Sequence, residues 1–151
     1  MKYEPPTLDS LGEDLKTAMK ERESLRVSVI RMLMASVKNA QVAAKGDLDE
    51  KGSVAIVAKE VRRREDAAAE YRKAGNEQRA SSEAVEAEIL RAYLPAQLSA
   101  EELEKLVDGA INQAQATGPS DMGKVMKVLM PKVAGRADGT TVSEAVKARL
   151  T

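Results

Sequence analysis

The chain has 151 residues, enough for one domain or two small ones, and its 24 basic and 24 acidic residues balance. It has no Cys and no His, which excludes disulfides, thiolate nucleophiles and the commonest general base and metal ligand. Hydrophobic residues make up 43% of the chain and aromatic residues 2%, so the core must be aliphatic, which favours helices. No apolar run approaches 18 residues and the first residues do not resemble a signal peptide, so we expect a cytoplasmic protein without a membrane segment.

Apolar periodicity predicts four amphipathic helices in the first 95 residues. One face of the first helix is formed by residues at i, i+3, i+7 and i+11, namely Leu8, Leu11, Leu15 and Met19. The same pattern predicts helices over residues 22–44, 50–74 and 79–93. Val85 and Ala92 are expected to face inward from the fourth helix.

Polar residues, glycine and proline mark the ends of these helices. Thr7 and Asp49 are expected N-caps, and Gly46 is an expected C-cap. Pro95 stops the fourth helix, because a proline disfavours helix at the residue before it. The chain is therefore predicted to divide into domains 1–95 and 96–151.

Three shorter helices are predicted in the second domain. Ser99 opens a capping box for the fifth helix, Ser120 is placed to cap a sixth that ends at Pro131, and Thr141 opens a second capping box for the seventh. The predicted fold class is all-α. It consists of an antiparallel helical N-terminal part followed by a small C-terminal three-helix domain.

Two short motifs suggest binding sites that their chemistry does not support. Residues 118–124 match most of the phosphate-binding loop pattern, but Val125 replaces the hydroxyl residue that binds magnesium, and no strand precedes the loop. The run Arg62-Arg63-Arg64 lies on a predicted helix, so its side chains point in different directions. We expect them to form a surface ion-pair network with acidic neighbours such as Glu60 and Glu65.

Five segments resemble YqeY-like proteins in order and spacing: DLKTAMK (14–20), LRVSVIRML (25–33), EILRAYLPAQL (88–98), DMGKVMK (121–127) and GRADG (135–139). The resemblance implies an all-helical protein whose C-terminal part is similar to the tail domain of GatB, a subunit of the tRNA-dependent amidotransferase. In that enzyme the tail domain grips tRNA and does no chemistry. Stand-alone members inherit a nominal label, carbon–nitrogen ligase activity with glutamine as amido-N-donor.

A basic segment in this C-terminal part is the candidate nucleic-acid-binding site. Residues 119–151 include six basic and three acidic side chains. Lys124 and Lys127 are three apart on one helix face, and Lys132 and Arg136 flank the loop beyond, a spacing that suits a phosphate backbone. Gly123 would let an RNA backbone come close. The competing interpretation is a solvated face with close helix packing at Gly123.

These observations lead to one main hypothesis and two alternatives. The main hypothesis is a non-catalytic tRNA-binding or amidotransferase-associated protein, with tRNA or a translation-related protein as partner and with no catalytic residue, metal or cofactor. The first alternative is a helical protein-interaction or scaffold module without RNA binding, which exposure of Met126 or Met130 would favour. The second is an amide-transferring enzyme, for which the sequence shows neither an ATP site nor an ammonia source.

Overall fold

A computed structural model describes residues 3–151, and within them the secondary structure is seven α-helices and one 3₁₀ turn, without strands. The all-α prediction is confirmed. The helices are α1 Leu8–Lys20, α2 Ser24–Ala44, α3 Glu50–Lys73, α4 Glu77–Arg91, α5 Ala100–Ala114, α6 Met122–Val133 and α7 Gly139–Leu150, and the turn Pro119–Asp121 precedes α6. Among residues 3–151, none of the helices has an apolar stretch that could span a bilayer.

The chain forms two compact units, Met1–Pro95 and Ala96–Thr151. In the first unit, α1 packs on α2 and α3 packs on α4, each pair joined by a three-residue connection that makes an antiparallel hairpin. Its core is aliphatic, as the composition requires, and its largest fully buried side chains are Leu11, Ile30, Leu33 and Leu90. That each unit acts as a separate domain stays a prediction.

The second unit packs α5, α6 and α7 around a separate aliphatic core. The fully buried side chains of this core are Val107, Ala110, Val125, Leu129, Val133, Val142 and Val146. The segment that leads into α5 is tied to the loop between α6 and α7. The Leu98 N–H donates to the Arg136 carbonyl at 2.8 Å, and Arg136 Nε donates to the Ala96 carbonyl at 3.3 Å.

Three predicted N-caps are confirmed. In each, the side-chain oxygen accepts a hydrogen bond from the backbone N–H of the residue three positions later in the chain. The acceptors are Thr7 at 3.0 Å, Asp49 at 2.7 Å and Ser99 at 3.1 Å. The predictions for Ser120 and Thr141 are wrong. Ser120 lies inside the 3₁₀ turn, because Pro119 fixes a helical φ and starts the turn one residue earlier. Thr141 lies inside α7, which begins directly after the extended Asp138.

Other helix ends also differ from the prediction. The left-handed residue after α2 is Lys45, with φ 58°, and not Gly46, because the left-handed conformation falls on the first residue after the helix, which ends at Ala44. The Gly46 N–H then donates to the Gln41 carbonyl at 3.1 Å, completing a Schellman motif. Helix α6 continues past Pro131 to Val133, since Pro131 lies on the exposed side, where a carbonyl that lacks its donor costs less than it would in the core.

Three core residues predicted for the first and fourth helices are exposed. Met19 faces solvent because Ala18 takes the inward position on α1 and is fully buried. Val85 and Ala92 are exposed because the inward face of α4 consists of Ala80, Ala87 and Leu90. Ala80 and Ala87 are small, so α3 and α4 can pack closely at these positions. The larger Val85 lies outside this contact.

Candidate nucleic-acid interface

Helix α6 is held in the second unit by one apolar face. Val125, Leu129 and Val133 recur every four residues and are fully buried against α5 and α7. At 100° per residue, the opposite face carries Lys124 and Lys127, which are 60° apart around the helix axis. The burial of the apolar face therefore directs both ammonium groups into solvent.

The two lysines differ in their ion pairs. The Lys124 side chain is 72% exposed, and its Nζ lies 3.6 Å from Asp121 Oδ1. Asp121 also accepts from the Thr117 N–H at 2.9 Å, and this hydrogen bond, with the nearby Lys124 charge, lowers the pKa of the Asp121 carboxyl. Lys127 is exposed and has no ion-pair partner among residues 3–151. Its charge is the more available of the two for a phosphate.

The structure does not bring Lys132 and Arg136 onto this face. Lys132 is turned about 140° from Lys127 around α6, and its Nζ lies 3.5 Å from Gln113 Oε1 of α5. Arg136 is half-buried, and both its Nε and its carbonyl hold the segment before α5. The structure therefore gives Arg136 a local structural role.

Gly123 does not serve close helix packing. A Cβ built on it would meet no atom within 4 Å, so the residue opens onto free space beside Lys124. Gly135 in the loop after α6 has φ 76°, in the left-handed region that favours glycine. The space at Gly123 leaves room for a ligand backbone.

Charge is segregated between the helices of the second unit. Residues 96–151 hold seven basic and seven acidic side chains, so the unit is neutral as a whole. Four of the acidic residues lie on α5 with one lysine, whereas α6 carries three lysines and no acidic residue. The basic face is therefore a local feature of α6, and Arg149 of α7 is already paired with Asp108 of α5 at 3.1 Å.

Sequence reasoning missed a buried charge cluster in the first unit. Arg64 is buried, with Nη1 3.2 Å from Glu60 Oε2 and Nε 3.4 Å from Glu86 Oε2. Burial, followed by the neighbouring Glu83 carboxyl, raises the pKa of Glu86. The expected pairs with Glu60 exist, but the one made by Arg64 is buried and only Arg63 is at the surface. Glu65 pairs with Arg91 of α4 instead. Arg64 lies seven residues after Val57 and three after Val61, on the buried stripe of α3. This spacing in the sequence indicates that Arg64 is buried.

A second polar cluster ties the ends of the first unit together. The Tyr93 hydroxyl donates to Asp14 Oδ2 at 2.6 Å, and the Tyr3 hydroxyl donates to the Tyr93 carbonyl at 2.7 Å. Burial, together with the Asp14 carboxylate, raises the pKa of Tyr93 strongly. No group of three or more acidic side chains in the described part of the chain is arranged to hold a metal ion.

Comparison with known proteins gives consistent results along most of the chain. A family model described as "Yqey-like protein" matches residues 8–150. The curated relatives include "Altered inheritance of mitochondria protein 41, mitochondrial" of Kluyveromyces lactis, 32% identical over 143 residues, which are 92% of this chain and 73% of that protein. The protein of the same name in Lachancea thermotolerans is 32% identical over 74% of this chain and 61% of its own length. The protein of that name in Pyrenophora tritici-repentis is 26% identical over 93% of this chain and 78% of its own length.

Proposed function

Because the chain belongs to the YqeY-like family, we propose that it is a non-catalytic RNA-binding protein whose second unit contacts tRNA. The observation that carries the proposal is the placement of Lys124 and Lys127 side by side on the solvent face of α6. The similarity of this part to the tRNA-gripping tail of GatB supports tRNA as the RNA. It also suggests association with a tRNA-dependent amidotransferase or another translation-related protein.

The physical basis of the proposal is phosphate neutralisation. Each lysine that contacts a phosphate releases condensed counterions, so the affinity should fall as salt rises. The logarithm of the binding constant should fall with the logarithm of the salt concentration, with a slope of about one per contact. Lys127 contributes an unpaired charge, and Lys124 has to exchange Asp121 for a phosphate. The open space at Gly123 lets the RNA backbone approach both. The absence of His and Cys from the sequence supports binding without catalysis.

The proposal is tested by titrating fluorescently labelled tRNA into the whole protein at several salt concentrations. We expect Lys124→Ala/Lys127→Ala to weaken binding and to reduce the salt slope by about two. The matched control is Lys16→Ala/Lys73→Ala, which removes the same charge from two exposed lysines of the first unit. Unchanged binding in the α6 variant would overturn the site. Glutamine-dependent ATP turnover by the purified protein alone would contradict the non-catalytic assignment.

One observation favours the alternative of a protein-interaction module without RNA binding. Met130 is exposed on α6, about 60° around the helix from Lys127, so this side of the helix is partly apolar. Absence of saturable tRNA binding, combined with loss of a protein partner in Met130→Ser, would support that alternative.

The compartment is also part of the proposal. The sequence predicts the cytoplasm, whereas the names of the relatives describe them as mitochondrial. Imaging of a tagged chain in its own cells distinguishes the two locations.

A further inference from the structure

We propose that the first unit carries a docking groove for an acidic amphipathic helix of a partner protein. The groove, here called the methionine groove, lies where α1 ends and α2 begins and has a volume of about 630 Å³. Its lining includes Met19, Arg22, Val27, Ser28, Arg31 and Met32. It belongs to the unit that the proposed tRNA site does not use.

The apolar part of the groove comes from two unusually exposed methionines. Met19 is 52% exposed and Met32 is 47% exposed, although both sit on helices whose opposite faces are fully packed. Methionine side chains are unbranched and polarizable, and they adapt to the shape of an incoming aliphatic side chain. Two such side chains on one groove form an exposed apolar patch, which is typical of a surface that contacts another molecule.

The charged part of the groove identifies the chemistry of its occupant. The charged residues that line it are Arg22 and Arg31, and neither forms an ion pair with any residue from 3 to 151. Arg26, one turn along α2, is by contrast paired with Glu23 at 3.2 Å. Two unpaired guanidinium groups beside an apolar strip complement a ligand that presents carboxylates next to aliphatic side chains.

A peptide helix fits this groove better than an RNA strand. Single-stranded RNA is usually held by aromatic side chains that stack on its bases, and the groove is lined by no aromatic residue. An amphipathic helix instead buries aliphatic residues at i, i+3, i+4 and i+7 in an apolar groove and places its acidic residues at the rim. The methionines and arginines match these two requirements.

The groove is formed in advance of binding. The Met32 sulfur lies 3.3 Å from Nη2 of the buried Arg64, which fixes one wall. Arg22 is held in the left-handed conformation, with φ 57°, and its N–H donates to the Met19 carbonyl at 3.2 Å, which fixes the backbone of the other wall. A partner therefore loses little affinity to ordering the groove.

The test is selection of displayed peptides of about 16 residues, roughly four helical turns, against the full chain. We expect the selected peptides to carry Asp or Glu beside aliphatic residues at helical spacing. A labelled selected peptide should bind Arg22→Gly/Arg31→Ala at least about tenfold more weakly than the wild type. Glycine suits the backbone of position 22, so this variant keeps its fold. Lys59→Ala/Arg62→Ala, which removes two exposed charges from α3, is the matched control and should bind as the wild type does.

Other occupants give different results. No enrichment of acidic peptides, or enrichment that persists in the Arg22/Arg31 variant, would overturn the proposal. Loss of labelled-tRNA binding in that variant, without peptide binding to the wild type, would assign the groove to RNA and overturn it as well. Concentration-dependent dimers that disappear in Met19→Ser would assign it to a second copy of the chain. Lys124→Ala/Lys127→Ala should bind the peptide normally, which separates this proposal from the tRNA site.

Discussion

Arg64 of α3 and Glu86 of α4 form an ion pair in the interior of the first unit, with Nε 3.4 Å from Oε2. The same guanidinium lies 3.2 Å from Glu60 and 4.0 Å from Glu83, so one buried cation faces three carboxylates. Ser36 of α2 donates to the second oxygen of Glu60 at 3.1 Å. Three helices therefore meet at a charge cluster whose stability depends on Arg64.

Arg64→Ala should destabilise the protein by about 3–5 kcal/mol, because it leaves partly buried carboxylates without their cation. Chemical denaturation followed by circular dichroism measures the change. Arg63→Ala is the matched control, since its side chain is 65% exposed and pairs with the same Glu60. We expect a cost within about 1 kcal/mol there. Equal effects of the two substitutions would contradict the buried-cluster interpretation.

The raised pKa of Glu86 gives a pH dependence of definite sign. The ordinary value is 4.5, and burial and Glu83 raise it in the folded chain. Above the ordinary value the folded chain holds more protons at this site than the unfolded chain does. The contribution of Glu86 is therefore complete below the ordinary value and is lost as pH rises through the folded pKa.

Glu86→Gln removes this titration, because the amide stays neutral. The free energy of unfolding of Glu86→Gln minus that of the wild type should therefore increase as pH rises from about 4 to about 7. Denaturation curves recorded across this range measure the difference. Glu104→Gln, which removes an exposed carboxyl from the second unit, tests whether any lost carboxyl produces the same profile. A difference that is constant with pH, or that decreases, would contradict the prediction.

Two helix ends should be improved by glycine. Lys45 and Gln115 have φ 58° and 54°, a conformation that costs a residue with a side chain about 1–2 kcal/mol. Lys45→Gly and Gln115→Gly should each stabilise the protein by about 0.5–1 kcal/mol, since the greater freedom of glycine in the unfolded chain offsets part of the gain. Thermal unfolding measures both.

Gly75 provides the reverse test of this argument. It has φ 79°, and a Cβ there would meet no atom within 4 Å, so Gly75→Ala changes backbone strain without a clash. We expect a loss of about 1 kcal/mol. A stabilising Gly75→Ala would refute the strain argument for all three positions.

The sequence predicts features that depend on neighbours close along the chain. Thr7 and Asp49 are correctly predicted caps because each bonds an N–H three residues away. The shared face of Lys124 and Lys127 is predictable for the same reason, since helix geometry alone sets it. The separation of Lys132 from that face follows equally from helix geometry, and its contact with Gln113 of α5 is the part that the sequence does not show.

Features that depend on distant residues were missed. Whether Met19 or Ala18 faces inward is decided by how α1 docks on α2, a rotation of 100° that the apolar pattern of α1 leaves open. The burial of Arg64 depends on Glu83 and Glu86, which come about twenty residues later in the chain. The structural role of Arg136 depends on the segment before α5, forty residues earlier.

Tyr93 and Asp14 lie in two of the segments that resemble the YqeY-like family, 88–98 and 14–20. The Tyr93 hydroxyl donates to the Asp14 carboxylate at 2.6 Å from a half-buried position. Tyr93→Phe keeps the ring and removes this charge-assisted hydrogen bond, so it should cost about 1.5–3 kcal/mol. Chemical denaturation of the variant measures the loss.

The control is Tyr71→Phe, because the Tyr71 hydroxyl accepts a bond from Arg79 at the exposed surface, at 3.2 Å. We expect that substitution to cost less than about 1 kcal/mol. A double-mutant cycle with Asp14→Asn isolates the pair, and its coupling energy should account for most of the Tyr93→Phe loss. If the two single losses simply add, the hydrogen bond does not stabilise the fold, and the hydroxyl of Tyr93 then has no structural role that this contact explains.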